Sequence, residues 1–130
     1  MPTRPRVLLA DDHPGVVKAL SRFLSLDCDV VGVVTDGSEV ADAAARLQPV
    51  VTVVDVHLPN VNGLEVCGQI MQANPRAKVI LITALFDDEI RTQALAAGAS
   101  GFFPKFMEGN ELIEAIRGAW AQCSSWEGGL

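Results

Sequence analysis

Asp11 and Asp12 follow the apolar run Val7-Leu8-Leu9-Ala10. Asp55 follows Val50-Val51-Thr52-Val53-Val54, Thr83 follows Val79-Ile80-Leu81-Ile82, and Lys105 follows Gly101-Phe102-Phe103-Pro104. Three carboxylates, a hydroxyl and an amine each close a strand-like segment. In an open parallel sheet all strand C-termini share one edge, so these groups, far apart in the chain, would meet in one crevice. Carboxylates cannot gather ionised at neutral pH unless a cation compensates them or a pKa rises. A hard divalent cation, most economically Mg²⁺, answers that requirement. Asp11 and Asp12 taken alone read as a helix N-terminal pair favoured by the dipole, and it is Asp55 and Lys105 that turn them into a site. His13 and His57 have no histidine or cysteine partner at ligand spacing, so both are read as non-catalytic.

The elements that must position these groups follow from the alternation of short β-branched runs with amphipathic stretches, the pattern of repeated strand-helix units. Strands are expected at Arg6 to Ala10, Cys28 to Val34, Val50 to Val54, Lys78 to Thr83 and Gly101 to Phe103. Between them, Val16, Leu20, Phe23 and Leu24 recur at helical spacing; Asp36 caps a helix carrying Val40, Ala44 and Leu47 that Pro49 ends; and Cys67, Ile70 and Met71 line a third. Asp87 or Asp88 caps a fourth helix, with Gly98 as its stop, and Leu112, Ile113, Ile116, Ala119, Trp120 and Cys123 mark the last. Strands apolar on both faces belong to a parallel sheet covered on each side. The fold class is a three-layer, doubly wound α/β domain.

A chain of 130 residues, nearly half of them apolar, suits one domain. We expect it to span 1–123, with Ser124 to Leu130 as a tail or the start of a linker. A net charge of −6 argues against direct nucleic-acid binding, which needs a basic surface. Cys28, Cys67 and Cys123 fall in apolar patterns without metal-ligand spacing and read as buried free thiols of a reducing compartment. With no signal peptide or membrane span in the pattern, a cytoplasmic location is expected.

Read together, Ala10-Asp11-Asp12-His13-Pro14, Asp55-Val56-His57-Leu58-Pro59 with Gly63, Thr83-Ala84, and Gly98 through Lys105 resemble the receiver domain of two-component response regulators, with wording similar to the NarL/LuxR-type subfamily. The resemblance covers essentially the whole chain. It implies a flavodoxin-like sheet of order 2-1-3-4-5 and a signalling role rather than an enzyme's. It implies that Asp55 accepts a phosphoryl group from a histidine kinase or histidine phosphotransfer domain, and that Asp12 and Asp55 bind Mg²⁺ directly. Asp11 would bind it through water, and the backbone carbonyl of His57 would add a ligand. Thr83 and Lys105 would hold phosphoryl oxygens, Ala84 would leave room for the group to enter, and Thr83 with Phe102 would form the switch. Members of the subfamily join a receiver to a helix-turn-helix DNA-binding domain, which implies control of transcription by a domain absent from this sequence. From the charges of both signs on one face, activation is expected to promote self-association, as a phosphorylation-dependent homodimer, or partner binding through the surface from Asp87 to Arg117, which carries Asp87, Asp88, Glu89, Arg91 and Lys105 beside exposed apolar residues.

The chain departs from that pattern in three places. Phe106 follows the lysine where many receivers have proline, which disfavours a cis bond there. The aromatic three positions before the lysine is Phe102, with no hydroxyl, so any switch through it works by packing. Gly15 lowers helix propensity beside the expected kinase-docking surface. Two rival classes are weaker. A dehalogenase-type phosphatase carries a second aspartate two residues after the first, where this chain has His57. A flavodoxin-like cofactor binder needs a Ser/Thr-rich phosphate loop, to which Asp11-Asp12-His13-Pro14 is hostile.

Overall fold

Alternation along the strands decides which helix each side chain meets. In a computed structural model describing residues 4–85, 87–105 and 109–128 (without the side chains of 109, 110 and 122–128), Leu8 and Ala10 of β1 (Arg6–Ala10) join one core cluster while Val7 and Leu9 join the other. The same division splits β3 (Val51–Asp55), with Val54 on the first side and Val51 and Val53 on the second. It also splits β4 (Lys78–Thr83), with Val79 and Leu81 against Ile80 and Ile82. The first cluster is closed by Val40 and Ala43 of α2 (Val40–Leu47), Val66, Cys67 and Ile70 of α3 (Gly63–Ala73), and Ala94 of α4 (Asp88–Ala96). The second is closed by Leu24 of α1 (Pro14–Leu24) and by Leu112, Ile113, Ile116 and Ala119 of α5 (Gly109–Gly128). Helices therefore cover both faces of the sheet, as two-sided apolar strands require.

With β2 (Asp29–Val34) and β5 (Gly101–Pro104) at the edges, the sheet is parallel throughout and runs β2-β1-β3-β4-β5. This is the expected order. Register places Ala10 beside Val54, Asp55 beside Ile82 and Thr83 beside Pro104, which aligns the strand ends along one edge.

Strand limits differ from the sequence reading by about one residue, and two helices differ in kind or length. Asp36 accepts from Ser38 N, but what it caps is a single 3-10 turn, Gly37–Glu39, from which α2 continues. The last helix runs on through residues 124–128, which the sequence reading places in a tail. Phe106 and the side chain of Cys123, on which expectations were placed, lie outside the described residues. Trp120 is half-buried. Cys28 and Cys67 are buried free thiols. Burial pushes the Cys67 thiol up to about 11, and burial followed by the charge of Asp27 raises Cys28, so neither is a ready nucleophile. No helix among the described residues is long and apolar enough to cross a membrane.

The α4 cap is Asp87, whose carboxylate accepts from Ile90 N at 2.8 Å. It is exposed, and α4 has only Ala94 fully inside, so the cap carries a large part of that helix's local stability. Asp87→Ala is expected to lower stability by about 1 kcal/mol, measured by urea unfolding with an unchanged slope.

Candidate functional site

Each site group reaches the common edge by a backbone device. Asp11 N donates to Val34 O at 3.1 Å, carrying the β1 ladder one residue past the strand. His13 is extended, and Pro14 opens α1 at the position where a missing N–H costs nothing. Lys105 N donates to Thr83 O at 2.7 Å, extending the β4-β5 pairing to the lysine. After Asp55 the chain turns through Val56 to Asn62, pinned by Gly63 N to Val56 O at 2.8 Å and Gly37 N to Pro59 O at 3.0 Å. Asn60, at φ 70°, donates through Nδ2 to Asp36 Oδ2 and ties this loop to the 3-10 turn.

Lys105 is the centre of the group. Its side chain is 2% exposed and its ammonium lies 2.9 Å from Asp55 Oδ2 and 3.1 and 3.0 Å from the two oxygens of Asp11. Burial by itself would lower the lysine pKa, but hydrogen bonds to Asp55 and Asp11, with their charges, outweigh it and hold the pKa above its ordinary value. Stability from this pairing is therefore present at neutral pH and is lost only as pH rises through the raised pKa. Asp55 Oδ1 accepts from His57 N at 3.1 Å, and Asp11 Oδ1 accepts from His13 N at 2.8 Å. Asp12, beside them, is about one third exposed. Asp11 Oδ2, although close to the ammonium, is buried with no hydrogen bond directed at it.

Three carboxylates against one ammonium leave a formal charge of −2 in a partly buried pocket, which a divalent cation would cancel. The donor spacing fits as well. Asp11, Asp12, Asp55 and His13 each place a ligand atom within 4.8 Å of the others. In an octahedral complex with ligands at about 2.1 Å, adjacent donors are about 3 Å apart and opposite ones about 4 Å. Hard oxygen donors, matching spacing and an unbonded buried oxygen suit Mg²⁺.

The crevice thus contains Asp11, Asp12, Asp55 and Lys105 as the sequence predicts. Thr83 is there and fully buried, but its hydroxyl serves its own loop, accepting from Leu85 N at 3.0 Å and donating to Leu85 O at 3.2 Å. Ala84 is exposed. Phe102 is half-buried against the cluster of Leu8 and Leu81. The side chain of His57 is exposed, while its amide binds Asp55.

Two expectations need correction. Lys105 contributes no charge to the surface from Asp87 to Arg117, because it is buried among carboxylates. His13, set aside from the sequence, stands in the site, with Nδ1 2.6 Å from Lys105 Nζ. The search for His or Cys spacing missed it because its partners are carboxylates delivered by the fold. Its adjacency to Asp11 and Asp12 was the available signal.

This arrangement has relatives. Residues 7–117 match the Response regulator receiver domain family. The chain belongs to that family. The receiver is 38% identical over 117 residues to the DNA-binding transcriptional activator DevR/DosR of Mycobacterium tuberculosis, covering 86% of this chain and 52% of the relative. It is 37% identical over 115 residues to response regulator GacA of Pseudomonas protegens, covering 86% and 54%. It therefore spans about half the length of the curated relatives it matches. Among solved structures, the signal receiver domain of NarL from M. tuberculosis superposes with TM-score 0.84 at 32% identity, over 88% of this chain and 94% of that one. A LuxR-family two-component response regulator from Aurantimonas gives 0.86 at 29%, over 92% and 86%. The receiver is a phosphorylation-dependent signalling domain of the NarL/LuxR type. Receivers generally hold Mg²⁺ in an acidic pocket, and this chain has an aspartate cluster at the corresponding edge of the sheet.

Proposed function

We propose that Asp55 is the phosphoacceptor of this receiver. Its carboxylate oxygen attacks phosphorus on a phosphohistidine of a histidine kinase or phosphotransfer partner. The O–P bond forms as the N–P bond breaks, and the histidine leaves with the bond's electrons. Attack by one anion on another needs neutralisation of both. Lys105 stands at 2.9 Å from the nucleophilic carboxylate to supply part of it as a point charge, and that buried contact carries the reading. Asp12 and Asp55, Asp11 through water, and the His57 carbonyl would hold Mg²⁺, which neutralises phosphoryl oxygens as charge redistributes.

Thr83 then exchanges its bonds to Leu85 for the phosphoryl oxygens, and Phe102 packs further inward, changing the face of α4, β5 and α5. That face pairs with a second copy on activation, using exposed Asp87, Asp88, Glu89 and Arg91 beside exposed Leu85 and Leu95. The output is transcription, through a DNA-binding domain reached beyond residues 124–130 and acting from the cytoplasm. The name and doubled length of DevR/DosR support this output, as does the acidic charge of the receiver itself.

The test is incubation with acetyl phosphate and peptide mapping by mass spectrometry. Mg²⁺-dependent gain of one phosphoryl group on the peptide containing Asp55 is expected. Labelling undiminished by chelator, or placed on another residue, overturns the mechanism.

A further inference from the structure

His13 is the one group around Lys105 that phosphoacceptor chemistry leaves without a task. An ammonium can only donate, so in the tautomer that carries its proton on Nε2 the His13 Nδ1 offers a lone pair to the Lys105 Nζ that it faces at 2.6 Å. That nitrogen is also 3.0 Å from Asp11 Oδ1, 3.3 Å from Asp12 Oδ1 and 3.6 Å from Asp55 Oδ2. Four electron-rich side chains thus turn toward one another, three of them against a single ammonium, which is how a cation site is arranged. The ring is delivered by the backbone, because His13 N is anchored to Asp11 Oδ1 and Pro14 fixes the chain just after it. Asp11 Oδ2 is buried with no hydrogen bond directed at it, and its charge faces the same ammonium at 3.0 Å.

We infer that His13 sets the metal preference of the pocket, adding an imidazole nitrogen to three carboxylates and tilting it from Mg²⁺ toward divalent ions that accept imidazole, such as Mn²⁺, Co²⁺ and Zn²⁺. The inference rests on reading the acidic pocket as the receiver's metal site. Mg²⁺ is a hard ion that takes oxygen and keeps its waters, whereas imidazole suits the later ions. The ring of His57 lies outside the cluster of ligand atoms, so that residue would offer the metal only its backbone carbonyl.

The test titrates metal-free protein with Mg²⁺ and Co²⁺ by calorimetry and follows both histidine rings by ¹⁵N NMR on adding Zn²⁺. His13→Asn keeps an acceptor for Lys105 but removes the imidazole. Its preference for Co²⁺ over Mg²⁺ is expected to fall on the order of tenfold, the smaller end of what lost support at metal sites costs. In wild type, Zn²⁺ should shift the Nδ1 resonance of His13 and spare His57. An unmoved His13 resonance, or the same Co²⁺ to Mg²⁺ ratio in His13→Asn, overturns the inference even if that variant proves poorly folded, since the NMR arm uses wild type. Mg²⁺ binding that survives intact in Asp12→Asn would instead show that the pocket is not the metal site, a separate failure.

Discussion

Asp55→Asn will remain folded and will take no label from acetyl phosphate. The loss of label follows from chemistry, since an amide is not a carboxylate nucleophile and the remaining acidic groups are tied otherwise. Asp11 is held through Oδ1 by His13 N and through both oxygens by proximity to Lys105, and Asp12 is partly solvated. Retention of the fold follows from the balance of charges. Breaking a buried ion pair by removing one partner usually costs about 3–5 kcal/mol, because a charge is left uncompensated. Here Lys105 keeps Asp11, and one of three mutually repelling carboxylates disappears, so the penalty is offset by relief of repulsion. The metal-free thermal midpoint of Asp55→Asn is therefore expected to be no lower than that of wild type. A folded variant that still labels removes Asp55 from the acceptor role, and a variant that unfolds shows Lys105 to depend on Asp55 rather than on Asp11.

What was legible in the sequence and what was not divides along a physical line. Strands such as Val79-Ile80-Leu81-Ile82 announce themselves because both faces are buried. Polar residues at their ends then fall on one edge by topology alone, which is why Asp11, Asp55 and Lys105 could be grouped before any coordinates. Side-chain direction is another matter. Nothing in the order of residues says that the Thr83 hydroxyl binds Leu85, that Lys105 is sunk among carboxylates, or that the exposed His13 ring sets its Nδ1 against Lys105, because each depends on charges and sterics from other parts of the chain. The end of α5 illustrates the same limit: beyond Cys123 the apolar stripe fades, so periodicity stops reporting although the helix continues to Gly128.

Two glycines of α3 will respond oppositely to the same substitution. A Cβ on Gly63 would lie 2.4 Å from the carbonyl oxygen of Asp55, 2.8 Å from Val56 Cα and 2.9 Å from Asp55 C. All three atoms are backbone, so no rotamer change relieves the contact, and the hydrogen bond from Gly63 N to Val56 O resists any shift. Overpacking of this kind costs about 3 kcal/mol, the upper end of its usual range. A Cβ on Gly68, one and a half turns later, meets nothing within 4 Å. There the only change is reduced backbone freedom in the unfolded chain and better helix propensity, worth up to about 1 kcal/mol in favour of folding. Gly63→Ala is thus expected to lower the thermal midpoint by roughly 10 °C, and Gly68→Ala to raise it slightly. Function should follow the geometry, because the atom that Gly63→Ala displaces belongs to Asp55 itself. Labelling by acetyl phosphate, measured well below both midpoints, should be slowed in Gly63→Ala and retained in Gly68→Ala. Equal midpoints for the two variants would mean that the Asp55 to Gly63 loop yields without cost, and the close packing of α3 on the end of β3 could no longer be what fixes the acceptor.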